Sequence, residues 1–418
     1  MKLPLFLLAV SFVGFSVSRA ADSKIAAGAV NALGVDLYRT QAMGGDNLLL
    51  SPYSIQIALA MTFAGADGDT RKEMQRALHF PADENALHDG FGALAEELSA
   101  ASAKSVARVK SAEKFGGSGT PFEFNLANRL FAQRGYEFRA PFLSLLKDRY
   151  AAPLVEMDFK TEPDQARAAI NRWVEEQTKD RIQDLIPAGA IQPGTRLTLV
   201  NALYLRAAWK EKFKERLTRN ERFLVHGREA AEVPMMQGQT ECGYAQRKGF
   251  QLVTRSCNGD LQFVIALPDE PSRLASVEKA LTPKLLEECA HLPTREVILH
   301  LPKFRLTPPT LPLGESLQKL GLKTAFNVPA GSANFDRMAP RKPDDDLYIG
   351  SVLHKTFLAL DEKGVEAAAA TAAVMLMFDG GAPEQMPIEV RVDRPFVFAI
   401  QHAPSGACLF LGRVTDPR

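Results

Sequence analysis

Apolar residues recur at helical spacing in the first half of the chain and tend to alternate with other residues in the second half. Residues 163–182, PDQARAAINRWVEEQTKDRI, show the helical spacing most clearly. Their apolar positions are Ala166, Ile170, Trp173 and Val174. This spacing predicts an amphipathic helix. Thr70 and Glu73 have the spacing of a capping box, which predicts a helix that begins there and ends near His79.

Residues 196–209, RLTLVNALYLRAAW, alternate between two faces that are both mostly apolar. One face carries Leu197, Leu199, Leu203 and Leu205. Such a segment is typical of a central strand in a sheet that is covered on both sides. Shorter strand-like runs follow late in the chain: QFVIALP, VILHLPKF, IEVRV, RPFVFAI and CLFLGRV. Early helices and late strands together predict an α+β fold with large, mainly antiparallel sheets.

Two polar residues interrupt these apolar strands. Asn201 lies on the leucine face of the buried strand, and His354 lies in the apolar run SVLHKTFLAL. A buried polar group without a partner costs a few kcal/mol, about 1–3 in protein mutants. Each residue alone is interpreted as a satisfied core residue. We also consider a shared polar cluster, to which Ser51 and Ser54 of the segment SPYSI would add two small donors.

Composition and motifs exclude several classes of protein. The 418 residues carry 50 Lys and Arg against 49 Asp and Glu, so net charge gives no reason to expect a nucleic-acid partner. We find no Walker loop, no His-Glu-x-x-His, no Gly-x-Ser-x-Gly and no GxGxxG after a strand. The seven histidines lack metal-ligand spacing. We therefore expect no catalytic residues, no metal and no cofactor.

The four cysteines are scattered along the chain, at Cys242, Cys257, Cys289 and Cys408. They do not form the dense framework of a small disulfide-rich protein. Free buried thiols are the preferred interpretation, and one disulfide stays open as the alternative.

Residues 1–20, MKLPLFLLAVSFVGFSVSRA, have a basic start, an apolar stretch and small residues at the end. The apolar stretch is shorter than the roughly 20 residues that span a bilayer. We interpret it as a cleaved signal peptide, which leaves residues 21–418 as a secreted extracellular protein. An uncleaved membrane anchor is the alternative.

Residues 100–120 run from a basic helical stretch into a Gly/Ser segment. Its cations are Lys104, Arg108, Lys110 and Lys114. They suggest a weak polyanion-binding patch, although a solvated helix face is the plainer interpretation.

Several longer motifs resemble segments of the serpin family, in the family's order. They are NLLLSPYSIQIALAMTFAGADGDTRKEM, LVNALYLRAAWKEKF, VPMM, LPKF, LQKLGLKTAF, DEKGVEAAAAT, VDRPFVFAI and LFLGRVTDP. The resemblance covers nearly the whole chain after residue 20. It implies a single domain, an α+β serpin fold with about nine helices and three β-sheets, and an exposed reactive-centre loop at about 362–387.

In that family, inhibitory members offer the loop to a protease as bait. The resemblance implies that cleavage lets the N-terminal part of the loop enter the largest sheet as a new strand, with the protease trapped as a covalent ester. The residue that attacks the scissile bond belongs to the target protease. A member acting in this way is expected to be a monomer.

The residues matching the family's loop hinge are small and mostly apolar. They are Glu362, Gly364, Val365, Glu366, Ala367, Ala368, Ala369, Ala370 and Thr371. A segment that must become a central strand cannot contain Pro, and none occurs from 361 to 382. One parity, which includes Val365 and Ala367, is predicted to point inward. Val365 departs from the family pattern, in which a hydroxyl residue is common.

The resemblance also assigns two groups of gating residues. Ser51, Ser54, Asn201 and His354 match the polar "shutter" beneath the point where the sheet opens. Trp209, Lys303 and Glu362 match the "breach" at the top of the sheet, where the last two form an ion pair.

By family spacing, the scissile bond follows the residue 16 positions after Glu362, which gives Phe378–Asp379; Met377–Phe378 is the runner-up. An apolar residue before the bond suits a chymotrypsin-like target; the partner is expected to be a chymotrypsin-, cathepsin G-, elastase- or subtilisin-like serine protease. Two alternatives stay open. One is inhibition of papain-like cysteine proteases, and the other is a non-inhibitory serpin that acts as a carrier or chaperone.

Overall fold

The computed structural model describes residues 13–115, 121–341, 346–365 and 386–418, with side chains from residue 23 onward. This part of the chain contains nine α-helices, which agrees with the expected number. They are α1 (Val13–Gln41), α2 (Pro52–Gly65), α3 (Gly68–Ala77), α4 (Glu84–Glu113), α5 (Ala140–Tyr150), α6 (Pro163–Gln177), α7 (Leu274–Ala280), α8 (Pro283–Cys289) and α9 (Gly314–Lys319). Short 3-10 turns occur at Glu215–Leu217, Pro271–Arg273 and Thr324–Phe326.

The same residues form seventeen strands. The first half of the set is β1 (Leu48–Leu50), β2 (Glu123–Gln133), β3 (Val155–Met157), β4 (Leu197–Ala208), β5 (Arg219–Val225), β6 (Glu229–Arg247), β7 (Phe250–Ser256), β8 (Leu261–Pro268) and β9 (Thr294–Pro302). The second half is β10 (Phe304–Leu306), β11 (Leu311–Pro312), β12 (Ile349–Thr356), β13 (Leu358–Asp361), β14 (Gly364–Val365), β15 (Ile388–Arg391), β16 (Phe396–His402) and β17 (Ala407–Val414).

These strands pair into two hydrogen-bonded networks. The nine-stranded network runs β1-β17-β16-β8-β7-β6-β9-β15, with β5 also on β6. The eight-stranded network runs β10-β13-β14-β4-β12-β11, and β2 and β3 extend it beyond β4. The three sheets that the family implies are joined here, because β6 pairs with β5 and β9 along most of its length and with β7 at its end. Most pairings are antiparallel, as predicted; β12 with β4, β15 with β9 and β2 with β3 are parallel.

β4 is the central, doubly covered strand that its sequence predicts. It lies between β2 and β12, and all but one of its residues are buried. The leucine face of β4 belongs to the main hydrophobic core, together with α1 and α2. The opposite face contributes Val200 and Ala202 to a second, smaller core beneath α6, which supplies Ile170 and Val174. The eight-stranded sheet is therefore packed on both sides around β4.

The capping-box prediction at Thr70 is wrong. α3 begins two residues earlier, after Asp67, and Thr70 lies inside it. The Thr70 hydroxyl accepts the Asn334 N–H at 3.0 Å. The Glu73 carboxylate accepts the backbone N–H groups of residues 323 and 324, at 2.9 and 2.8 Å. Both side chains therefore tie α3 to a distant segment rather than to their own helix end. The predicted α6 helix is confirmed.

Candidate functional site: the seam between strands β4 and β12 and the hinge above it

The four residues predicted to form the shutter come together beneath the β4–β12 seam. His354 lies opposite Asn201 in the parallel pairing, and its Nδ1 donates to Asn201 Oδ1 at 2.6 Å. The Ser51 backbone N–H donates to His354 Nε2 at 3.0 Å. The Ser54 hydroxyl donates to the same Asn201 oxygen at 2.5 Å. These bonds fasten the start of α2 to both strands of the seam.

The hydrogen bonds fix His354 in its neutral form. Nε2 accepts from a backbone N–H, so the single proton is on Nδ1. The side chain is fully buried, and burial lowers its pKa to about 3. A proton on Nε2 would break the bond to Ser51 and place a charge in the core. The cluster is therefore built for an uncharged histidine.

Asn128 is a member of this cluster that the sequence did not reveal. It lies opposite Asn201 on β2, and its amide donates to the Ser54 carbonyl at 2.7 Å. Asn201 Nδ2 and Asn128 Oδ1 are both buried, and neither has a hydrogen-bond partner in the described part of the chain. Asn128 interrupts the apolar alternate positions 124, 126, 130 and 132, which is a signal that could have found it. Only the β2–β4 register shows that it lies opposite Asn201.

The breach residues also meet. Lys303 Nζ lies 2.9 Å from one Glu362 oxygen and 3.2 Å from the other. The Thr218 hydroxyl, which sequence reasoning missed, donates to Glu362 at 2.7 Å. Burial raises the pKa of Glu362, but the hydrogen bonds from Thr218 and Lys303 outweigh it and hold the pKa below its usual value. The Trp209 indole N–H donates to the Asp361 carbonyl at 2.9 Å, so the breach fixes the turn from which the hinge starts.

Gly364 is required by both conformation and space. Its φ is +143°, and a Cβ atom there would lie 2.2 Å from the Ala207 carbonyl oxygen. No side chain fits at that distance, and L-residues avoid such a φ. The Asp361 carboxylate supports the turn by accepting the N–H groups of Lys363 and Gly364, at 2.8 and 3.2 Å.

The start of the hinge lies between two strands of the sheet. β14 pairs with β13 on one side, where Val365 faces Leu360, and with β4 on the other, where Val365 faces Ala207. Val365 is 1% exposed and belongs to the main core. Its parity is therefore inward, as the sequence predicted.

The other predicted loop residues lie outside the described residues. These are the hinge residues Glu366, Ala367, Ala368, Ala369, Ala370 and Thr371, and the bond residues Met377, Phe378 and Asp379.

All four cysteines are free and buried. Burial raises the pKa of Cys242 to about 11 and those of Cys257 and Cys289 to about 12, and it raises the pKa of Cys408 further. The preferred interpretation of free thiols is confirmed. Within the described ranges, no helix is long and apolar enough to cross a membrane. The same ranges contain no group of three side chains suited to a metal ion.

The four basic residues of the predicted polyanion patch are exposed; three lie on α4, and Lys114 is the C-cap residue directly after it. Lys104 and Arg108 form one pair four residues apart, and Lys110 and Lys114 form another. At 100° per residue, the two pairs point about 120° apart around the helix. The Arg108 guanidinium donates to Asn258 at 3.3 Å. The cations thus form two separate pairs rather than one stripe, and polyanion binding stays a prediction.

Comparison with known proteins places the chain in one family. The family model described as "Serpin (serine protease inhibitor)" matches residues 28–417. Leukocyte elastase inhibitor of Bos taurus is 36% identical over 395 residues, covering 92% of this chain and 97% of the relative. An uncharacterized serpin-like protein of Thermococcus kodakarensis is 35% identical over 97% of this chain and 88% of its own length.

The fold agrees with this relationship. The crystal structure of Serpin48 from the insect Tenebrio molitor superposes with a TM-score of 0.74 and 27% identity, over 96% of this chain and 99% of that one. The seam, the breach and the hinge described above are assembled from the motifs that resemble this family. The chain belongs to the serpin family.

Proposed function

We propose that this protein is a suicide-type inhibitor of chymotrypsin-like serine proteases, cleaved in its reactive loop and inactivating its target by inserting that loop into the eight-stranded sheet. One observation carries the proposal: β14 lies between β13 and β4 and pairs with both. Gly364 and Val365 of the hinge already occupy the place that an inserted strand would extend.

The observed register defines where the next residues would go. Continuing the pairing of Val365 with Ala207 sets Glu366, Ala367 and Ala368 opposite the three β4 residues 206, 205 and 204. In the described part of the chain, those three residues have no strand partner on that side. The fourth step is different, because Ala369 must separate Leu203 from Thr356, which are paired in the seam.

Two residues further, the inserting strand would reach the shutter. The same register sets Thr371 between Asn201 and His354. Entry at that point requires the 2.6 Å hydrogen bond between those two side chains to break. The shutter would therefore hold the sheet closed until cleavage makes the loop's N-terminal part free to insert.

Both faces of the sheet are covered, which explains why alanine occupies the inward-pointing and the outward-pointing positions of the hinge. Inward positions such as Ala369 would face the main core beside Leu203 and Thr356, which are 0% and 2% exposed. Outward positions would enter the second core, where Ala370 lies opposite Ala202. Bulky side chains on either parity would overpack a buried layer. Glu366 is the exception, since it would lie opposite the partly exposed Arg206, which gives the carboxylate a cationic neighbour.

The target class follows from the residues before the bond. Phe378 suits the deep apolar primary pocket of chymotrypsin-like proteases, and Met375, Leu376 and Met377 add apolar side chains upstream. The loop has no Lys or Arg between Lys363 and Arg391, so trypsin-like proteases would find no preferred residue. A related protein is named leukocyte elastase inhibitor, which supports a target that accepts small or apolar residues.

Incubation of the intact protein with a protease panel tests the proposal. The panel comprises chymotrypsin, cathepsin G, elastase, subtilisin, trypsin and papain, and denaturing gels report any stable high-mass complex. We expect stable complexes with chymotrypsin, cathepsin G, elastase or subtilisin and none with trypsin. Cleavage without complex, with no rise in melting temperature of the nicked protein, would establish a non-inhibitory serpin. A complex with papain alone would establish a cysteine-protease inhibitor.

We also propose that the protein is exported and that residues 1–20 are removed. The basic start and short apolar stretch of that segment support this proposal. Mass spectrometry of the protein recovered from the medium of expressing cells tests it, and the expected N-terminal residue is Ala21.

A further inference from the structure

His300 on β9 is a buried histidine that the proposed inhibitory mechanism does not use. It is 2% exposed, and neither of its ring nitrogens has a hydrogen-bond partner among the residues that the structure describes. Nδ1 lies 3.5 Å from the Glu221 carboxylate, and Nε2 lies 3.2 Å from the Glu389 carboxylate. Each nitrogen therefore faces an anion at a distance that a small movement would convert into a hydrogen bond.

Arg391 closes these residues into a ring. Its guanidinium reaches Glu221 at 3.0 Å and Glu389 at 2.8 Å. The ring of Glu221, His300, Glu389 and Arg391, called here the β15 clasp, joins β5, β9 and β15. From β6, the residue directly opposite His300 is the neutral Gln237.

The charges of the β15 clasp do not balance while His300 is neutral. Within the described ranges, two carboxylates face one guanidinium, which leaves one negative charge uncompensated. A neutral imidazole has one N–H, so one of its nitrogens must direct a lone pair at a carboxylate. A protonated imidazole has two N–H groups, and each would face an anion. The geometry of the clasp therefore suits the imidazolium form.

The position of the clasp gives this proton a structural effect. β15 is the end strand of its network, with four residues paired to β9. Two of those residues, Glu389 and Arg391, belong to the clasp. β15 also follows the segment interpreted as the reactive loop, so it anchors the loop's C-terminal side.

We infer that the β15 clasp is a pH-sensitive attachment, in which protonation of His300 ties β15 to the sheet and deprotonation loosens it. The inference concerns the uncleaved protein and does not depend on protease inhibition. It predicts that β15 is held more firmly in mildly acidic solution than in mildly alkaline solution.

Hydrogen exchange followed by mass spectrometry tests this inference without a protease. Peptides that contain β15 are compared at about pH 5.5 and about pH 8, on either side of the usual histidine range, after correction for intrinsic exchange. We expect about three- to tenfold greater protection at the lower pH, the range expected for two partly exposed ion pairs. Equal protection of β15 at both pH values in the wild-type protein would overturn the inference.

Three variants assign the effect to the clasp. His300→Gln should lose the pH response of β15. Glu389→Gln, at a position whose side chain is 52% exposed, should weaken the response strongly because the remaining carboxylate and guanidinium already balance. His79→Gln is the matched control, since His79 pairs with Asp36 of α1, and it should keep the full response. If His300→Gln does not fold, Glu389→Gln decides, and a full wild-type response in that variant would refute the clasp.

Discussion

His354 and Asn201 lie opposite each other across a parallel seam, with His354 Nδ1 2.6 Å from Asn201 Oδ1. The bond connects β12 to β4. If the β14–β4 pairing continued along the hinge, Thr371 would lie opposite Asn201, at the position of this bond. This hydrogen bond therefore lies where the sheet must open if the loop is to insert. At the start of α2, the Ser51 backbone N–H donates to His354 and the Ser54 hydroxyl donates to Asn201, and both bonds hold the pair in place.

Replacing His354 with Ala should weaken the closed sheet. The change leaves the Ser51 N–H without its acceptor and Asn201 with one donor fewer in a buried site. We expect a loss of about 1–3 kcal/mol in stability, together with faster formation of polymers on gentle heating. Thermal melts and size-exclusion chromatography measure the two effects. The exposed His291→Ala variant serves as the control, and wild-type behaviour of His354→Ala would show that the cluster does not gate the sheet.

The neutral state of His354 predicts a dependence of stability on pH. Burial lowers its pKa to about 3 in the folded protein, whereas the pKa of an exposed histidine is about 6.5. Between these values the unfolded chain binds a proton that the native protein does not, so stability falls as pH falls. The contribution is about 1.4 kcal/mol for each pH unit below about 6.5.

Melting temperatures of wild type and His354→Gln, measured from pH 7 down to about pH 4, isolate this contribution. Carboxylates titrate in both proteins, so only the difference between the two curves counts. We expect the variant to lose less stability per pH unit than the wild type. Parallel curves would mean that His354 does not stay neutral in the native state.

The inward parity of the hinge predicts the effect of a charge at Ala369. In the extended register that residue faces the main core beside Leu203 and Thr356. An arginine there would bury a charge without a partner, which costs several kcal/mol. Insertion should slow while cleavage of the loop continues, so Ala369→Arg should convert the inhibitor into a substrate.

The yield of gel-stable protease complex measures this conversion. Glu384→Arg is the matched control, because it adds the same side chain on the C-terminal side of the bond, which does not insert. It should form complex as the wild type does. An undiminished yield from Ala369→Arg would contradict the register.

Substitutions at two glycines, one in the hinge and one elsewhere, distinguish steric crowding from backbone strain. Gly364 and Gly321 both have φ above +100°, at +143° and +109°, but only Gly364 would bring a Cβ against backbone atoms. Gly321→Ala should cost about 1–2 kcal/mol from strain alone. Gly364→Ala should also expel β14 from between β13 and β4. Hydrogen exchange of the β4 peptide should rise in the second variant and not in the first.

Residues with a strong local pattern could be predicted from sequence. β4 shows two apolar faces, and Asn201 and His354 stand out because they interrupt apolar runs. Gly364 and Val365 fall in a hinge motif that resembles the serpin pattern over many adjacent positions. In these cases the signal lies within one continuous segment, so no knowledge of strand pairing was needed.

Residues whose role depends on distant partners could not be predicted. Asn128 joins the shutter through the β2–β4 register, and Thr218 joins the breach through a contact across 144 positions. Thr70 and Glu73 matched a local capping rule but bind a segment about 250 residues away. The single-sequence patterns contain no information on such contacts, which form only when the sheets assemble.

The position of the cleaved bond can be predicted from its spacing to the hinge. Counting 16 positions from Glu362 gives Phe378–Asp379, and a phenylalanine fills the apolar primary pocket of chymotrypsin-like enzymes. Asp379 is an unusual residue after the bond, so Met377–Phe378 is the competing register. Mass spectrometry of the C-terminal peptide released from the complex decides between them. A peptide that begins at Asp379 supports the first bond, and one that begins at Phe378 supports the second, which favours elastase-like targets. Efficient trapping of trypsin would contradict both assignments, because no basic residue lies between Lys363 and Arg391.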